Sequence, residues 1–200
     1  MTPRFFRLGH LLKAFAGLLA ITFLLTGCNS MKPEDFENKE PRLVLEEYFL
    51  GETRAWGIFE DRFGNLRREF VVDVEGSWDG ETLVLDERFR YADGETDRRV
   101  WRLEKIDDHR WEGTADDVQG IGVAEVYGNA LNLRYTLALE IGGRTWNVNF
   151  DDWMYLMDDD VIINRARVSK LGIELGQATI FFKKPDGGAA NDDTQRSAAE

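Results

Sequence analysis

Residues 131–141 set the pattern of the chain. Leu131, Leu133, Tyr135, Leu137, Leu139 and Ile141 fall on one side of a period of two, and Asn132, Arg134, Thr136 and Glu140 on the other. Successive side chains of a strand point to opposite faces, so this alternation predicts a strand buried on one side only. Trp146, Val148 and Phe150 repeat it against Thr145, Asn147 and Asn149. Turn chemistry punctuates the pattern at Phe63-Gly64-Asn65, Asp79-Gly80, Asp93-Gly94, Asp107-Asp108, Gln119-Gly120, Gly128-Asn129, Gly142-Gly143, Asp158-Asp159-Asp160 and Lys170-Leu171-Gly172. The gaps are about 10 to 17 residues, each room for one strand and its turn. Only residues 43–50 carry helical spacing, through Leu43, Glu46, Glu47 and Leu50. The chain therefore predicts an all-β domain over residues 42–184, an antiparallel meander of about ten strands. Closing it into a barrel removes exposed edges, and a β-sandwich is the alternative.

The two ends of the chain break the pattern. Residues 11–25 are apolar except for Lys13 and Thr22, follow Arg4 and Arg7, and end in Leu25-Thr26-Gly27-Cys28. The apolar run is short for a membrane span, which needs about 20 residues. It fits the core of a signal peptide over residues 1–27. The four residues spanning the cut resemble the bacterial lipobox: an apolar residue and two small ones before it, and the thiol of Cys28 after it to take the lipid. Residues 29–41 are polar with Pro33 and Pro41, a flexible tether spanning on the order of 20 Å as a coil. Residues 185–200 hold Gly187-Gly188, small residues and acids, the composition of a disordered tail.

Composition then removes chemistries. The chain has one cysteine, and lipidation would consume it, so disulfides, thiol nucleophiles and cysteine metal sites are excluded. His10 would leave with the leader, so His109, in an Asp107-Asp108-His109-Arg110 turn, is the one histidine remaining. Multi-histidine zinc sites are thereby excluded. Net charge is −12, and −15 once the leader takes away three basic residues and no acid. Such a surface is unsuited to phosphate, so no nucleic acid partner is expected. No cofactor or metal is implied. Asn29, being other than Asp after the lipidated cysteine, favours the outer membrane, periplasmic side, by the sorting rule for such lipoproteins.

The remaining candidate chemistry lies in the strands. A hairpin about Gly94, paired so that Phe89 opposes Arg99 and Glu87 opposes Trp101, places Leu83, Leu85, Glu87, Phe89 and Tyr91 on one face with Leu103, Trp101, Arg99 and Asp97. Glu87 and Arg99 on so apolar a face should pair. They are read either as a polar contact in a ligand cavity or as a structural ion pair. Asp151 and Asp152 point to opposite faces and cannot easily converge on one atom, which favours a turn or strand-end cap. Asp116-Asp117 and the Asp158 run are read as solvated turns. In residues 161–168 one of Asn164 and Arg165 must approach the interior. Six tryptophans suit either an aromatic ligand site or core filling.

Taken together, Ala55-Trp56-Gly57, Asp61-Arg62-Phe63-Gly64, Asp86-Glu87-Arg88-Phe89, Asp93-Gly94-Glu95, Arg99-Val100-Trp101, Gly113-Thr114-Ala115-Asp116-Asp117-Val118, Gly128-Asn129-Ala130, Asp151-Asp152-Trp153-Met154 and Asn164-Arg165 resemble the proteobacterial lipoproteins grouped as domain of unknown function 3833. The resemblance covers residues 43–184. It implies a lipocalin-like barrel layout and carries no activity with it. Three functions then stand. The first is a membrane-anchored barrel binding a small, largely apolar ligand, with Trp56, Glu87, Phe89, Arg99, Trp101, Tyr135 and Arg165 as candidate cavity residues. The second is an enzyme on a lipid-like substrate, with Glu87 and Asp152 as its acid/base groups. The third is a structural or interaction lipoprotein of an envelope complex, whose sign would be a large exposed apolar patch.

Overall fold

The turn signals separate ten strands. In the computed structural model, which describes residues 31–141 and 143–185, these are β1 (Gly51–Asp61), β2 (Leu66–Trp78), β3 (Thr82–Tyr91), β4 (Thr96–Lys105), β5 (Arg110–Thr114), β6 (Gly122–Tyr127), β7 (Ala130–Ile141), β8 (Arg144–Asp158), β9 (Val161–Lys170) and β10 (Ile173–Lys183). Each pairs antiparallel with its sequence neighbours, and β1 pairs with β10 over Arg54–Asp61 and Gly176–Lys183, so the sheet closes. Closure rules out the sandwich, whose two sheets would leave β1 and β10 as edges. The leader, Cys28 and residues 186–200 lie outside the described residues.

Alternation decides what faces inward. β6 reads Gly122, Ala124 and Val126 buried between Val123, Glu125 and Tyr127, which are half-exposed. The inner residues form one core running from Leu43 and Leu45 through Val72, Leu83, Trp101 and Trp111 to Leu131, Val148, Ile162 and Phe182. An eight-stranded barrel is just wide enough to be filled by side chains or to hold one small ligand, and diameter grows with strand number. Ten strands therefore leave room that must be filled or kept as a cavity.

One end of this barrel is filled. Helix α1 (Leu45–Tyr48) lies there and ends in Phe49, whose ring meets Phe182 edge-on at 5.9 Å. Tyr48 Oη donates to the Asp160 carbonyl at 3.2 Å, and Lys105 pairs with Glu46. Trp78 packs on Trp111 at 5.6 Å beneath it. The opposite end, with the β1–β2, β3–β4, β5–β6 and β9–β10 connections, carries no helix among the described residues.

The segment expected to be a tether is folded from Pro33 onward. Pro33–Phe36 forms a 3-10 turn with Pro33 buried, and Phe36 packs on Trp153 and Tyr155 of the outer wall at 5.9 and 5.6 Å. Leu43 N–H donates to the Gly128 carbonyl at 2.8 Å. Gly128, at φ 51°, makes this docking possible: a Cβ there would sit 1.9 Å from the Phe36 carbonyl oxygen. A polar, proline-containing run looks flexible in sequence because its few apolar residues show no period, yet one phenylalanine and one proline suffice to seat it.

Candidate functional site

The β3–β4 hairpin carries the polar centre of the barrel. Its register differs by two residues from the expected one: Glu87 opposes Arg99, and Leu85 opposes Trp101. The cause is the turn. Tyr91 N–H donates to the Glu95 carbonyl at 2.9 Å, so the loop is Ala92-Asp93-Gly94, and Gly94, at φ 89°, ends the loop instead of centring it. A shift of two preserves the faces, so Glu87, Phe89, Arg99 and Trp101 still point inward.

They enter a cavity of about 330 Å³. Its wall is mostly apolar, including Phe70, Leu85, Leu133, Leu137, Phe150 and Ile180. The space lies where inner positions are small, at Ala124, Ala166 and Ala178. Against this wall stands one ionic cluster. Arg99 Nε lies 3.0 Å from both carboxylate oxygens of Asp117, and its Nη2 donates to Oδ2 at 2.6 Å. Arg99 Nη1 is 4.0 Å from Glu87 Oε2, and the guanidinium carbon lies 5.7 Å from the centre of the Phe89 ring. The side chains of Arg99 and Glu87 are only 17% and 16% exposed.

A second arm reaches the same cluster from β7 and β8. Asp152 is buried mid-strand and is not the turn or end cap its sequence suggested. Tyr135 Oη donates to Asp152 Oδ2 at 3.1 Å, while the Tyr135 ring meets Trp101 edge-on at 5.1 Å and stacks on Phe150 at 5.0 Å. Asp151 points outward, as alternation requires, and accepts from Asn132 Nδ2 at 2.6 Å. Burial pushes the Glu87 carboxyl up to about 7, against the pull of Arg99. It pushes Asp152 up to about 7 as well, against the Tyr135 hydrogen bond and the attraction of Arg99. The Tyr135 hydroxyl is raised by burial and by Asp152.

Asp117 is the partner that sequence reasoning missed, having placed it in a solvated turn. The β5–β6 connection folds over β7 instead: Gln119 N–H donates to the Thr136 carbonyl at 2.8 Å and Ala138 N–H to the Asp117 carbonyl at 2.9 Å. That lays the Asp117 side chain against Arg99. Two expected cavity residues lie elsewhere. Arg165 is on the outer wall, opposite Trp153 and Thr179, because its neighbour Asn164 takes the inner position. Trp56 is 42% exposed on the outer wall, since Ala55 and Gly57 face inward and Gly57 leaves space for the Phe70 ring. There Trp56 opposes Phe181, which opposes Ile163, giving an exposed apolar stripe across β1, β10 and β9. His109 keeps its turn but is partly covered, stacked on Tyr127 at 4.0 Å with Nδ1 2.8 Å from the Val126 carbonyl.

The family model described as "Protein of unknown function (DUF3833)" matches residues 22–184. No curated protein matches the chain. Among solved structures, the S-type phycobiliprotein lyase CpeS from Guillardia theta is similar with a TM-score of 0.53 and 12% identity, covering 77% of this chain and 98% of that one. A protein with unknown function from the DUF3598 family of Nostoc punctiforme has a TM-score of 0.52 and 14% identity, covering 72% of this chain. This chain spans 50% of that protein's length. At such identities the likeness is one of fold.

Proposed function

We propose that this chain, which belongs to the DUF3833 family, binds a small, largely apolar ligand inside its barrel. The supporting observation is the cavity of about 330 Å³, apolar over most of its wall and polar at one cluster. Small-molecule sites have this composition, with a few polar groups that orient the ligand, and their volumes begin near 300 Å³. Glu87 and Asp152 near neutrality are also what acid/base chemistry on a lipid-like substrate would use. Binding is the more economical reading, because every described contact of the cluster holds a side chain in place and needs no reaction to explain it.

The test fills the cavity. Ala166 is buried between Asp152 on β8 and Ala178 on β10. Ala166→Phe is expected to weaken binding of a neutral apolar fluorophore by about tenfold or more, roughly 1.4 kcal/mol. Stability should change by no more than roughly 1–3 kcal/mol, the usual range for overpacking. Fluorescence titration and thermal unfolding read the two effects separately. Unchanged binding would refute the reading. It would turn attention to the envelope interaction role, for which the Trp56–Phe181–Ile163 stripe is the favouring observation. That stripe is on the other side of the wall and is untouched by Ala166→Phe.

Lipid on Cys28 would hold the barrel at the periplasmic face of the outer membrane. Anchoring by acyl chains contributes roughly 0.8 kcal/mol per buried CH₂, and stable attachment takes more than one chain. Cys28→Ser is expected to abolish incorporation of labelled fatty acid and to move the protein from the membrane to the soluble fraction. Retention of the label by Cys28→Ser would contradict the assignment.

A further inference from the structure

Two oxygens in the cavity wall lack a hydrogen-bond partner within the protein: Asp152 Oδ1 and Asn164 Oδ1. Both side chains line the cavity, and the two residues are 6% and 0% exposed. They stand on neighbouring strands, Asp152 opposite Ala166 and Asn164 opposite Met154, so they are diagonal neighbours on the inner face. Buried polar groups without partners are few in native structures, and each asks for an explanation.

Their orientation is set by what the other half of each group does. Asn164 Nδ2 donates to the Trp153 carbonyl at 3.3 Å, which fixes the amide with Oδ1 away from that bond. Asp152 Oδ2 already accepts from Tyr135 Oη at 3.1 Å, leaving Oδ1. Most nearby donors are committed to other groups. Arg99 Nε and Nη2 are engaged by Asp117, its Nη1 faces Glu87, and the Tyr135 hydroxyl is committed to Asp152. Toward the open end, Arg68 is paired with Asp93 and Glu95. The wall thus offers two unpartnered acceptors, while Arg99 is held between Asp117 and Glu87 and the Tyr135 hydroxyl is engaged by Asp152. Two carboxyl groups, of Glu87 and Asp117, flank the Arg99 guanidinium, and Asp152 adds a third acid to the cavity wall.

From this, and on the reading that the cavity binds a ligand, we infer that the ligand's polar end is a hydrogen-bond donor of the amine or ammonium class, seated on Asp152 Oδ1 and Asn164 Oδ1. A carboxylate or phosphate end would meet excess negative charge and no unengaged guanidinium. A cationic end offsets the acid excess and satisfies both orphaned oxygens at once. A charge-assisted bond to a carboxylate is roughly twice as strong as a neutral one, so the ammonium should outrank the hydroxyl.

The groups that titrate or carry charge and act on Asp152 are Tyr135 on β7, Arg99 on β4, the adjacent residue Asp151 on β8 and Glu87 on β3, with Asp117 in the β5–β6 connection held on Arg99. Glu87 and Asp152 both gain protons as pH falls through 7. An ammonium end should accordingly bind less tightly at pH 5.5 than at pH 8.

The experiment is calorimetric titration of the full chain in nanodiscs of zwitterionic lipid, with empty discs subtracted. The probes are decylamine, decanol and decanoate at pH 8 and pH 5.5. Decylamine is expected to bind at least tenfold tighter than decanoate at pH 8, with decanol between them. Asp152→Asn should lower the decylamine affinity about tenfold, and leave decanol within about threefold. Equal affinities, or a preference for decanoate, would overturn the donor assignment while leaving cavity binding intact. If none of the three probes binds, the binding reading itself falls.

Discussion

Replacing Arg99 with leucine is expected to destabilise the barrel by roughly 3 kcal/mol at pH 8. Removing one member of a buried ion pair typically costs about 3–5 kcal/mol, because the partner is left charged and unpaired. The lower end applies here, since the Asp117 side chain is 33% exposed and retains some water. The penalty should be smaller at pH 5. Glu87 is already raised to about 7 by burial, and without Arg99 it rises further, so at pH 5 it is protonated and no longer strands a charge. The unsubstituted protein carries a related signature. Glu87 and Asp152 hold protons in the folded state that the unfolded chain releases near its ordinary carboxylate range. Their contribution to stability therefore declines as pH rises from about 4 to about 7. Glu87→Gln should flatten that decline, and the Arg99→Leu, Glu87→Gln double variant should recover part of the loss at pH 8. Denaturant unfolding at the two pH values reads all three. An Arg99→Leu penalty independent of pH would show that Glu87 and Arg99 are not coupled.

Gly76→Ala should have the largest effect of any single methyl addition on the plugged end. A Cβ at this position would lie 1.8 Å from the Phe49 carbonyl oxygen and 2.8 Å from its carbon. These are backbone atoms of the segment that closes the barrel, so no rotamer change relieves the overlap. Either α1 lifts away or β2 shifts, and both separate Leu45 and Phe49 from the cavity wall they complete. Overpacking of this kind costs about 1–3 kcal/mol and more where backbone must move. A loss of roughly 3 kcal/mol or more is expected, with weakened ligand binding. Gly64→Ala is the control. Its Cβ would meet nothing within 4 Å, and φ is 79°, so only backbone strain of about 1 kcal/mol applies. Equal melting temperatures for the two variants would contradict the close approach of Phe49 to β2.

Much of the fold is written in turn residues and alternation. The Asp-Gly, Gly-Asn and acidic turns mark the strand boundaries because few other residues tolerate those backbone shapes, and strand alternation then assigns faces without any knowledge of partners. The inward placement of Glu87, Phe89, Arg99, Trp101 and Tyr135 follows from alternation alone and survives a register displaced by two. Where the neighbours of a large residue are small, alternation is silent. Ala55 and Gly57 give no apolar signal, so Trp56 looked like the inner residue when it is the outer one. Asn164 and Arg165 compete for one inner position, and the shorter amide takes it because its Nδ2 reaches the Trp153 carbonyl. Asp117 was illegible for another reason: it meets Arg99 at a separation of 18 residues from an irregular connection beyond β5, and no local pattern encodes that closure.

The most direct test of the central claim is native mass spectrometry of the full chain released gently from its own envelope, beside the Ala166→Phe variant. The account predicts a small molecule bound one to one in the unsubstituted protein and lost, or sharply reduced, in the variant. Identical spectra for the two proteins, either both empty or both loaded to the same extent, would contradict ligand binding in the barrel.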